Sequence, residues 1–283
     1  RVCDLFNEES LKDKISNALF HHNPIRKGLG VSELNVKEII DELKCYSALI
    51  KPFVKNVWVE LLKLQDKKKN ILFEGAQGCL LDIDHGTYPF VTSSNTIASQ
   101  ASIGTGIGSI DNYFSLGITK AYLTRVGEGP FPTEQSNEIG EKLGKLGNEF
   151  GTVTGRKRRC GWLDLVLLKQ SVTISGLKGL ALTKLDVLDS FKKIKVCVSY
   201  EYKNKEYNYL PVGIENYKEI KTNYIELDGW EQETRGTKKF LDLPKNAQKY
   251  ISFIEEFSGV PVSLLSTSPE REDTILFKDP FSG

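Results

Sequence analysis

The sequence predicts an α/β fold, in which a mostly parallel central sheet carries helices on both faces, together with a helical subdomain. From residue 71 onward, short apolar segments rich in β-branched residues alternate with segments of helical periodicity, which is typical of parallel sheets. Residues 1–68 show helical periodicity alone. We therefore expect a helical subdomain at residues 1–68 and an α/β part at residues 69–283.

Three amphipathic helices are predicted in the helical subdomain. The first follows the acidic start Glu8–Ser10 and should end at Asn23–Pro24, because proline lacks the amide hydrogen that a helix interior needs. The second covers residues 36–46 and the third residues 57–64. The lysine-rich segment 67–70 is expected to form a solvated turn before the first strand.

Strands and helices of the α/β part are predicted from the change of hydrophobic period. Apolar residues at helical spacing predict helices at Leu163–Val172 and Leu243–Phe257. An antiparallel hairpin is expected where Lys195–Tyr202 and Tyr207–Leu210 flank the polar turn 203–206. The predicted strands of the central sheet are Ile71–Phe73, Thr119–Val126, Leu180–Leu185 and Val260–Leu265.

The composition is that of an ordinary globular protein, with 40% hydrophobic residues, 27% charged residues and a net charge of +1. Such a charge balance gives no electrostatic reason to expect nucleic acid or an acidic membrane as a partner. No apolar segment approaches the roughly 20 residues of a membrane span. The five cysteines are scattered without C-x-x-C spacing, which favours reduced thiols and a cytoplasmic location.

The turn after the first predicted strand is a candidate binding site. Phe73–Gly78 joins an apolar strand end to glycines, and the polar segments 82–89 and 91–96 follow. Ligands of α/β sheets bind where strands end. The carboxamide of Gln77 suits a purine edge and the hydroxyl of Thr92 suits a phosphate. A loop-stabilising amide and a helix cap are the open alternatives for these two residues.

Two further features near this turn have competing interpretations. Asp82, Asp84 and His85 have the ligand types of a divalent-cation site, but we favour a polar network that orders the turn. Val126 ends a predicted strand before a glycine turn, where it would contact a purine or ribose, or simply belong to the core.

A basic loop, Gly155–Arg159, follows Thr154 and precedes an apolar helix. Arginine presents a planar fork that binds carboxylate or phosphate, and a junction between loop and helix suits a small dianion such as aspartate. A solvated basic face and a nucleic-acid patch are the alternatives for this run.

The segment Thr183–Asp186 has the residue types of a guanine-binding site. The carboxylate of Asp186 can accept hydrogen bonds from N1–H and N2–H₂ of guanine, while the stem of Lys184 lies along the ring. Adenine offers no such donor pair, so the pattern favours GTP over ATP. The alternative is a surface ion pair between Lys184 and Asp186.

Blocks along most of the chain resemble the adenylosuccinate synthetase family, whose members are GTP-dependent ligases that join IMP to aspartate. The resemblance implies a P-loop-NTPase-like fold of the adenylosuccinate synthetase type, a homodimer, GTP as co-substrate and Mg²⁺ as cofactor. The blocks, in family order, are Phe73–Gly78, Asp82–Pro89, Val91–Thr96, Thr124–Glu134, Gly155–Asp164, Leu182–Asp189, Gly229–Trp230, Gly259–Val262 and Ser266–Thr267.

The resemblance also implies which residues contact each ligand. Val153 stands where many members have threonine and Ser268 where many have glycine, so those two contacts depart from the family pattern. The implied contacts are Gln77, Thr92, Val126 and Arg156 for IMP; Thr152, Val153, Thr154, Gly155, Arg156, Lys157 and Arg158 for aspartate; and Arg158, Lys184, Leu185, Asp186, Ser266, Thr267 and Ser268 for GTP.

The sequence is expected to be a fragment, because it begins with Arg1 and contains no methionine. A G-D-E-G-K-G phosphate loop is absent, and Gly104–Gly108 lacks the following lysine. The resemblance places that loop, the catalytic Asp and His, and most Mg²⁺ ligands in an N-terminal part. We therefore assign no catalytic residue and no metal ligand in this chain, and expect the 283-residue chain alone to be inactive. A GTP-binding regulatory protein and a binding-only protein without ligase turnover remain alternatives.

Overall fold

The computed structural model describes residues 1–108, 113–151, 155–213 and 217–282. The chain divides into two compact units, Arg1–Lys69 and Asn70–Gly283. Within the described ranges, no helix is long and apolar enough to cross a lipid bilayer.

The first unit contains three α-helices: α1 (Glu8–Gly28), α2 (Val36–Ile50) and α3 (Val57–Asp66). Asparagine side chains cap the first two, because Asn7 accepts the amide of Ser10 and Asn35 accepts the amide of Lys37. The three predicted helices are thus confirmed.

The predicted end of α1 at Asn23–Pro24 is wrong, since the helix continues to Gly28. The side chain of Asn23 makes two reciprocal 2.9 Å hydrogen bonds with the backbone of Leu34. This pairing occupies the asparagine side chain, which could otherwise bind nearby backbone groups and compete with the helix. Pro24 has no amide hydrogen, and the helix tolerates the loss of that one backbone hydrogen bond.

Within its described residues, the second unit contains four α-helices and three sheets. In the largest sheet the strand order is β1-β5-β9-β10, with the first three strands parallel and the last antiparallel. The elements in chain order are α4 (Gln100–Thr105), β1 (Leu116–Lys120), β2 (Leu123–Arg125), α5 (Glu138–Leu146), β3 (Arg159–Gly161), β4 (Leu163–Asp164), α6 (Leu165–Ser175), β5 (Gly179–Thr183), β6 (Lys193–Tyr202), β7 (Lys205–Tyr207), β8 (Lys221–Asp228), α7 (Lys245–Ser258), β9 (Val262–Ser266) and β10 (Thr274–Leu276).

Strand β5 is the centre of the core. Leu180, Ala181 and Leu182 are consecutive and all buried, so both faces of this strand are covered. Their core cluster includes residues of α5, α6 and α7 together with Val262 and Leu265 of β9. The sequence prediction of a mostly parallel sheet packed with helices is confirmed.

The remaining strands form two smaller sheets. Strand β6 pairs parallel with β4 and antiparallel with β7 and β8, while β2 pairs antiparallel with β3. The pairing of β6 with β7 confirms a hairpin here, but its second strand is Lys205–Tyr207 where Tyr207–Leu210 was predicted, and its turn is 203–204 where 203–206 was predicted. The sequence analysis did not identify β3, β4, β8 and β10.

Two strand predictions need correction. Ile71–Phe73 is not a strand, and the side chain of Leu72 is 77% exposed; a three-residue apolar segment needs a hydrogen-bonded neighbour, and no described strand pairs with it. The predicted strand Thr119–Val126 is divided into β1 and β2, because Ala121 and Tyr122 turn into the core.

Candidate functional site

The carboxyl ends of three parallel strands meet at one edge of the main sheet. Lys120 at the end of β1 is paired with Thr183 at the end of β5, and Leu182 of β5 is paired with Leu265 of β9. Residues 184–186, which follow β5, and residues 266–268, which begin with the last residue of β9, therefore lie at the same edge. Such edges are the usual ligand sites of open α/β sheets.

The side chain of Lys184 does not contact Asp186. Lys184 has a left-handed backbone conformation, with φ at 59°. Its ammonium group donates to the carbonyl of Gly147 at 2.6 Å and to Oε1 of Glu149 at 2.8 Å. The surface ion pair that was the alternative interpretation of this segment is therefore absent.

The carboxylate of Asp186 is half-buried and accepts no hydrogen bond from any other described residue. Burial, followed by repulsion from Asp189, raises its pKa above the ordinary value. Asp189 differs, because it accepts hydrogen bonds from the indole of Trp230 and from the amide and hydroxyl of Thr234. Leu185 is fully buried, backbone included, so it belongs to the support beneath this segment.

The facing segment Ser266–Ser268 uses its hydroxyls within the protein. Ser266 donates to the carbonyl of Ser268 at 2.7 Å, and the buried Thr267 donates to the carbonyls of Thr237 and Asp273. The hydroxyl of Ser268 donates to the Asp273 carboxylate at 2.8 Å. This serine therefore fixes the loop that follows β9 and directs its hydroxyl towards that loop.

A buried carboxylate that the sequence analysis missed lies at the centre of the site. Glu149 has no solvent-exposed surface. Its Oε1 atom accepts from the hydroxyl of Tyr122 at 2.5 Å and from Lys120 and Lys184 at 2.8 Å. Its Oε2 atom accepts from Lys120 at 2.9 Å and from Nη1 of Arg158 at 2.8 Å. One acid thus joins residues from β1, the end of β5 and the basic loop.

The electrostatics of this cluster follow from burial and from the excess of cations. Burial alone would raise the pKa of Glu149, but hydrogen bonds from Lys120, Lys184 and Tyr122 lower it to about 2. Burial, together with repulsion from Lys184 and Arg158, lowers the pKa of Lys120 despite its contact with Glu149. At neutral pH, three cations surround one carboxylate, which leaves a net positive charge beside the strand ends.

The basic loop forms one arm of a backbone hairpin and pairs with residues 149–151. The amide of Arg158 donates to the carbonyl of Glu149 at 2.9 Å, and the amide of Gly151 donates to the carbonyl of Arg156 at 2.8 Å. Gly155 has a φ of 60°, in the left-handed region that favours glycine. Arg156 and Lys157 are exposed. The predicted aspartate contacts Thr152, Val153 and Thr154 lie outside the described residues.

Arg159 belongs to the basic run but supports the neighbouring turn. It forms an ion pair with Glu134 and donates to the carbonyls of Gly127 and Gly129. Arg125 binds the same turn through the carbonyl of Glu128. Val126 precedes this turn and has 59% of its surface exposed, so it is available to a ligand and is not a core valine.

The turn after residue 78 is organised by Asp82, as the network interpretation predicts. This buried carboxylate accepts the amides of Asp84, His85, Thr96 and Ile97 and the carboxamide of Asn95. Burial alone would raise its pKa, but these hydrogen bonds together lower it to about 2.

Gln77 and Thr92 flank that turn. Gln77 is exposed and has a left-handed backbone with φ at 61°. Thr92 is half-buried, and its amide donates to the carbonyl of Leu81 at 2.8 Å. Neither side chain forms a hydrogen bond to another described residue, so the structure supports neither a loop-stabilising role for the amide nor a capping role for the hydroxyl.

The family model of adenylosuccinate synthetase matches residues 1–275. The chain belongs to this family. The structure of fully ligated adenylosuccinate synthetase from Plasmodium falciparum is 33% identical and superposes with a TM-score of 0.90. That comparison covers 97% of this chain and 65% of the Plasmodium chain, so this chain spans just under two thirds of the length of that enzyme.

A second solved structure, the cyanophage S-2L succinoaminodeoxyadenylate synthetase bound to dGMP and to dATP as an energy donor, is 16% identical, with a TM-score of 0.45. It covers 77% of this chain and 50% of the cyanophage chain. Its similarity is too low to assign ligands to individual residues of this adenylosuccinate synthetase family member.

Glu149, Lys120 and Tyr122 are the site residues that the sequence analysis missed. The one available signal was an acidic residue between Gly147 and Gly151, just before the basic loop. A lone acid of this kind is usually solvated. Its burial becomes evident only once β1, β5 and the hairpin are assembled.

Proposed function

We propose that the full-length protein catalyses the GTP-dependent ligation of IMP and L-aspartate to adenylosuccinate. The observation that carries this proposal is the half-buried carboxylate of Asp186, which lies at the carboxyl edge of the sheet and accepts no hydrogen bond from any other described residue. A buried acceptor needs donors, and guanine offers two adjacent N–H groups. Family membership supplies the reaction.

In this proposal, the strand-end segments bind the guanine nucleotide. The fixed Lys184 forms one side of the base site, and Asp186 accepts the two donors. The segment Ser266–Ser268 would form the opposite wall, and the fully buried Thr267 supports that wall through its hydroxyl. Arg158, which is paired with Glu149, would place its positive charge near the nucleotide.

The basic loop would bind aspartate and the turns near residues 77 and 126 would bind IMP. Arg156 is exposed on this hairpin arm, and its guanidinium would contact both an aspartate carboxylate and IMP. Thr152–Lys157 would complete the aspartate site. For IMP, the carboxamide of Gln77 suits the base, the hydroxyl of Thr92 the phosphate, and the exposed Val126 the ribose.

The reaction has two steps. GTP transfers its γ-phosphoryl group to the 6-oxygen of IMP. The amino group of aspartate then displaces phosphate from C6 of the purine. Positively charged side chains favour such a transfer because negative charge spreads over the phosphoryl oxygens in the transition state. The residues of this chain bind and orient the three substrates, and none of them is assigned as the general base.

Mg²⁺ is the expected cofactor, but the acidic turn does not fit it. Both oxygens of Asp82 already accept amide donors, and hydrogen-bond donors occupy the positions that a cation would need. Oxygens of the nucleotide phosphates are the better ligands. We further propose that the protein is a cytoplasmic homodimer.

The test is a three-substrate assay on the full-length protein. Adenylosuccinate should form when GTP, IMP, L-aspartate and Mg²⁺ are all present, and not when any substrate is omitted or ATP replaces GTP. GTP binding or hydrolysis without this product would favour a regulatory or binding-only protein. Absence of both binding and product would overturn the proposal.

A further inference from the structure

Glu149 connects the guanine segment 184–186 to the basic loop, which in the proposed function binds aspartate and IMP and reaches the nucleotide through Arg158. Its Oε1 atom binds Lys184, two residues before Asp186, and its Oε2 atom binds Arg158, where the basic loop ends. The two contacts are both 2.8 Å long and use separate oxygens of one carboxylate. Neither segment can shift relative to Glu149 without lengthening one of these bonds.

The backbone of Glu149 joins the same two parts. Its carbonyl accepts the amide of Arg158 at 2.9 Å, which closes the base of the basic loop. The carbonyl of Gly147, two residues earlier, accepts the ammonium of Lys184 at 2.6 Å. The segment 147–149 therefore contacts the end of β5 on one side and the basic loop on the other.

The burial of Glu149 makes this connection strong and hard to replace. Its side chain is 0% exposed, whereas those of Lys120, Arg158 and Lys184 are 24%, 29% and 35% exposed. Among the described residues, no other carboxylate lies within ion-pair distance of any of these three cations. Loss of the charge on Glu149 would leave three mutually repelling cations at the strand ends.

We infer that Glu149 is a positioning residue that couples binding of the guanine nucleotide at Lys184–Asp186 to binding of IMP and aspartate at the basic loop. This inference rests on the proposed function. A nucleotide bound at Lys184–Asp186 stabilises the existing contact between Lys184 and Glu149, and Glu149 in turn holds Arg158 in place for the loop. The coupling is reciprocal, because each ligand must change the affinity of the other by the same factor.

The experiment measures GDP affinity of the full-length protein by calorimetry, with and without saturating IMP and aspartate. GDP lacks the γ-phosphoryl group, so no turnover occurs. The wild type should bind GDP at least about fivefold more tightly when both other ligands are present, within the usual range of such coupling. In Glu149→Gln, which keeps the shape but removes the charge, this ratio should fall to about 1.

Asp164→Asn is the matched control. Asp164 is another buried carboxylate, bound by the hydroxyl of Tyr200 at 2.6 Å and by the amide of Leu167 at 3.1 Å. Its substitution should lower stability and leave the ratio of GDP affinities unchanged. A merely structural role for Glu149 predicts the same behaviour for both variants.

If Glu149→Gln does not fold, the ratio is measured on Glu149→Asp, which keeps the charge but is one methylene too short to reach both cations. That variant should also lose most of the coupling. A wild-type ratio of about 1, or an unchanged ratio in either folded variant, overturns the inference. A wild type that binds no GDP contradicts the proposed function itself, and this is seen before any variant is made.

Discussion

The ammonium group of Lys184 lies 2.8 Å from Oε1 of Glu149, and this ion pair turns the lysine away from its neighbour Asp186. Lys184 and Asp186 therefore do not form the surface ion pair that their spacing would allow. Lys184 is fixed by the protein, whereas the Asp186 carboxylate accepts no hydrogen bond from any other described residue. This arrangement makes the role of Asp186 directly testable.

Asp186→Asn should move nucleotide preference from GTP towards XTP. Xanthine has a carbonyl where guanine has the N2 amine. The amide of an asparagine can donate a hydrogen bond to that carbonyl oxygen, whereas the carboxylate of Asp186 would repel it. Sites built on buried hydrogen bonds discriminate strongly, because the mismatched base leaves polar groups unpaired. Steady-state rates of the full-length protein with both nucleotides measure the change.

The matched control is Asp228→Asn, which removes an exposed acid that pairs with Lys193 at 2.7 Å. Such surface pairs contribute less than about 1 kcal/mol, so this variant should keep its GTP preference. Unchanged preference in Asp186→Asn as well would show that Asp186 does not contact the base.

Arg156→Leu should weaken the use of aspartate while GTP binding is nearly kept. Removal of a hydrogen-bond partner of a charged group costs about 1.5–3 kcal/mol, which corresponds to a loss of roughly 10- to 150-fold in kcat/KM for aspartate. Lys145→Leu removes an exposed positive charge from α5 and should leave that constant unchanged. Equal aspartate dependence in wild type and Arg156→Leu would rule out the assigned contact.

Asp82→Asn should lower the free energy of unfolding by about 1–3 kcal/mol, because an amide nitrogen would face backbone N–H donors. The folded-state pKa of Asp82, about 2, lies below the ordinary value of 3.8. Its ionised form therefore stabilises the protein above pH 3.8, and this contribution is lost as the pH falls towards 2.

Denaturant titrations of wild type and Asp82→Asn at several pH values test this expectation. The difference between the two should shrink on acidification. Asp84→Asn, at an exposed position that accepts one hydrogen bond from Asn95, serves as the control. A difference that does not change with pH would mean that the Asp82 network adds no stability through ionisation.

Gly147→Ala should destabilise the protein by about 1–3 kcal/mol, as overpacking of a filled interior does. A Cβ atom at this position would overlap the hydroxyl oxygen of Tyr122, which donates to Glu149. Gly28→Ala is the comparison, because no atom lies within 4 Å of its added carbon and alanine is favoured in helices. The thermal unfolding midpoints of the two variants are compared. Equal midpoints would show that the Tyr122 hydroxyl can move aside without destabilising the protein.

The elements that could be predicted are those whose own residues show a clear apolar or capping pattern. Strands β5 and β9 are predominantly apolar, and α6 begins after the capping residue Asp164. Ile71–Phe73 has the same local pattern but no paired neighbour among the described strands, so its conformation could not follow from its residues. Strand β8 is half-exposed and is defined by its pairing with β6.

The same distinction applies to the candidate site. The segments around Asp186 and Arg156 carry local residue patterns, so their positions could be predicted. Glu149 could not, since its contacts with Lys120 and Lys184 connect residues 29 and 35 positions apart. Only the assembled strand ends and hairpin make this acid a buried centre.

The turn after β5 carries two carboxylates with different tasks. Asp189 is committed to Trp230 and Thr234 and so maintains the fold, whereas Asp186 belongs to no such network. A change at Asp186 therefore leaves the scaffold intact. In evolutionary terms, a lineage could acquire a new nucleotide preference through one substitution, without first gaining compensating mutations for stability.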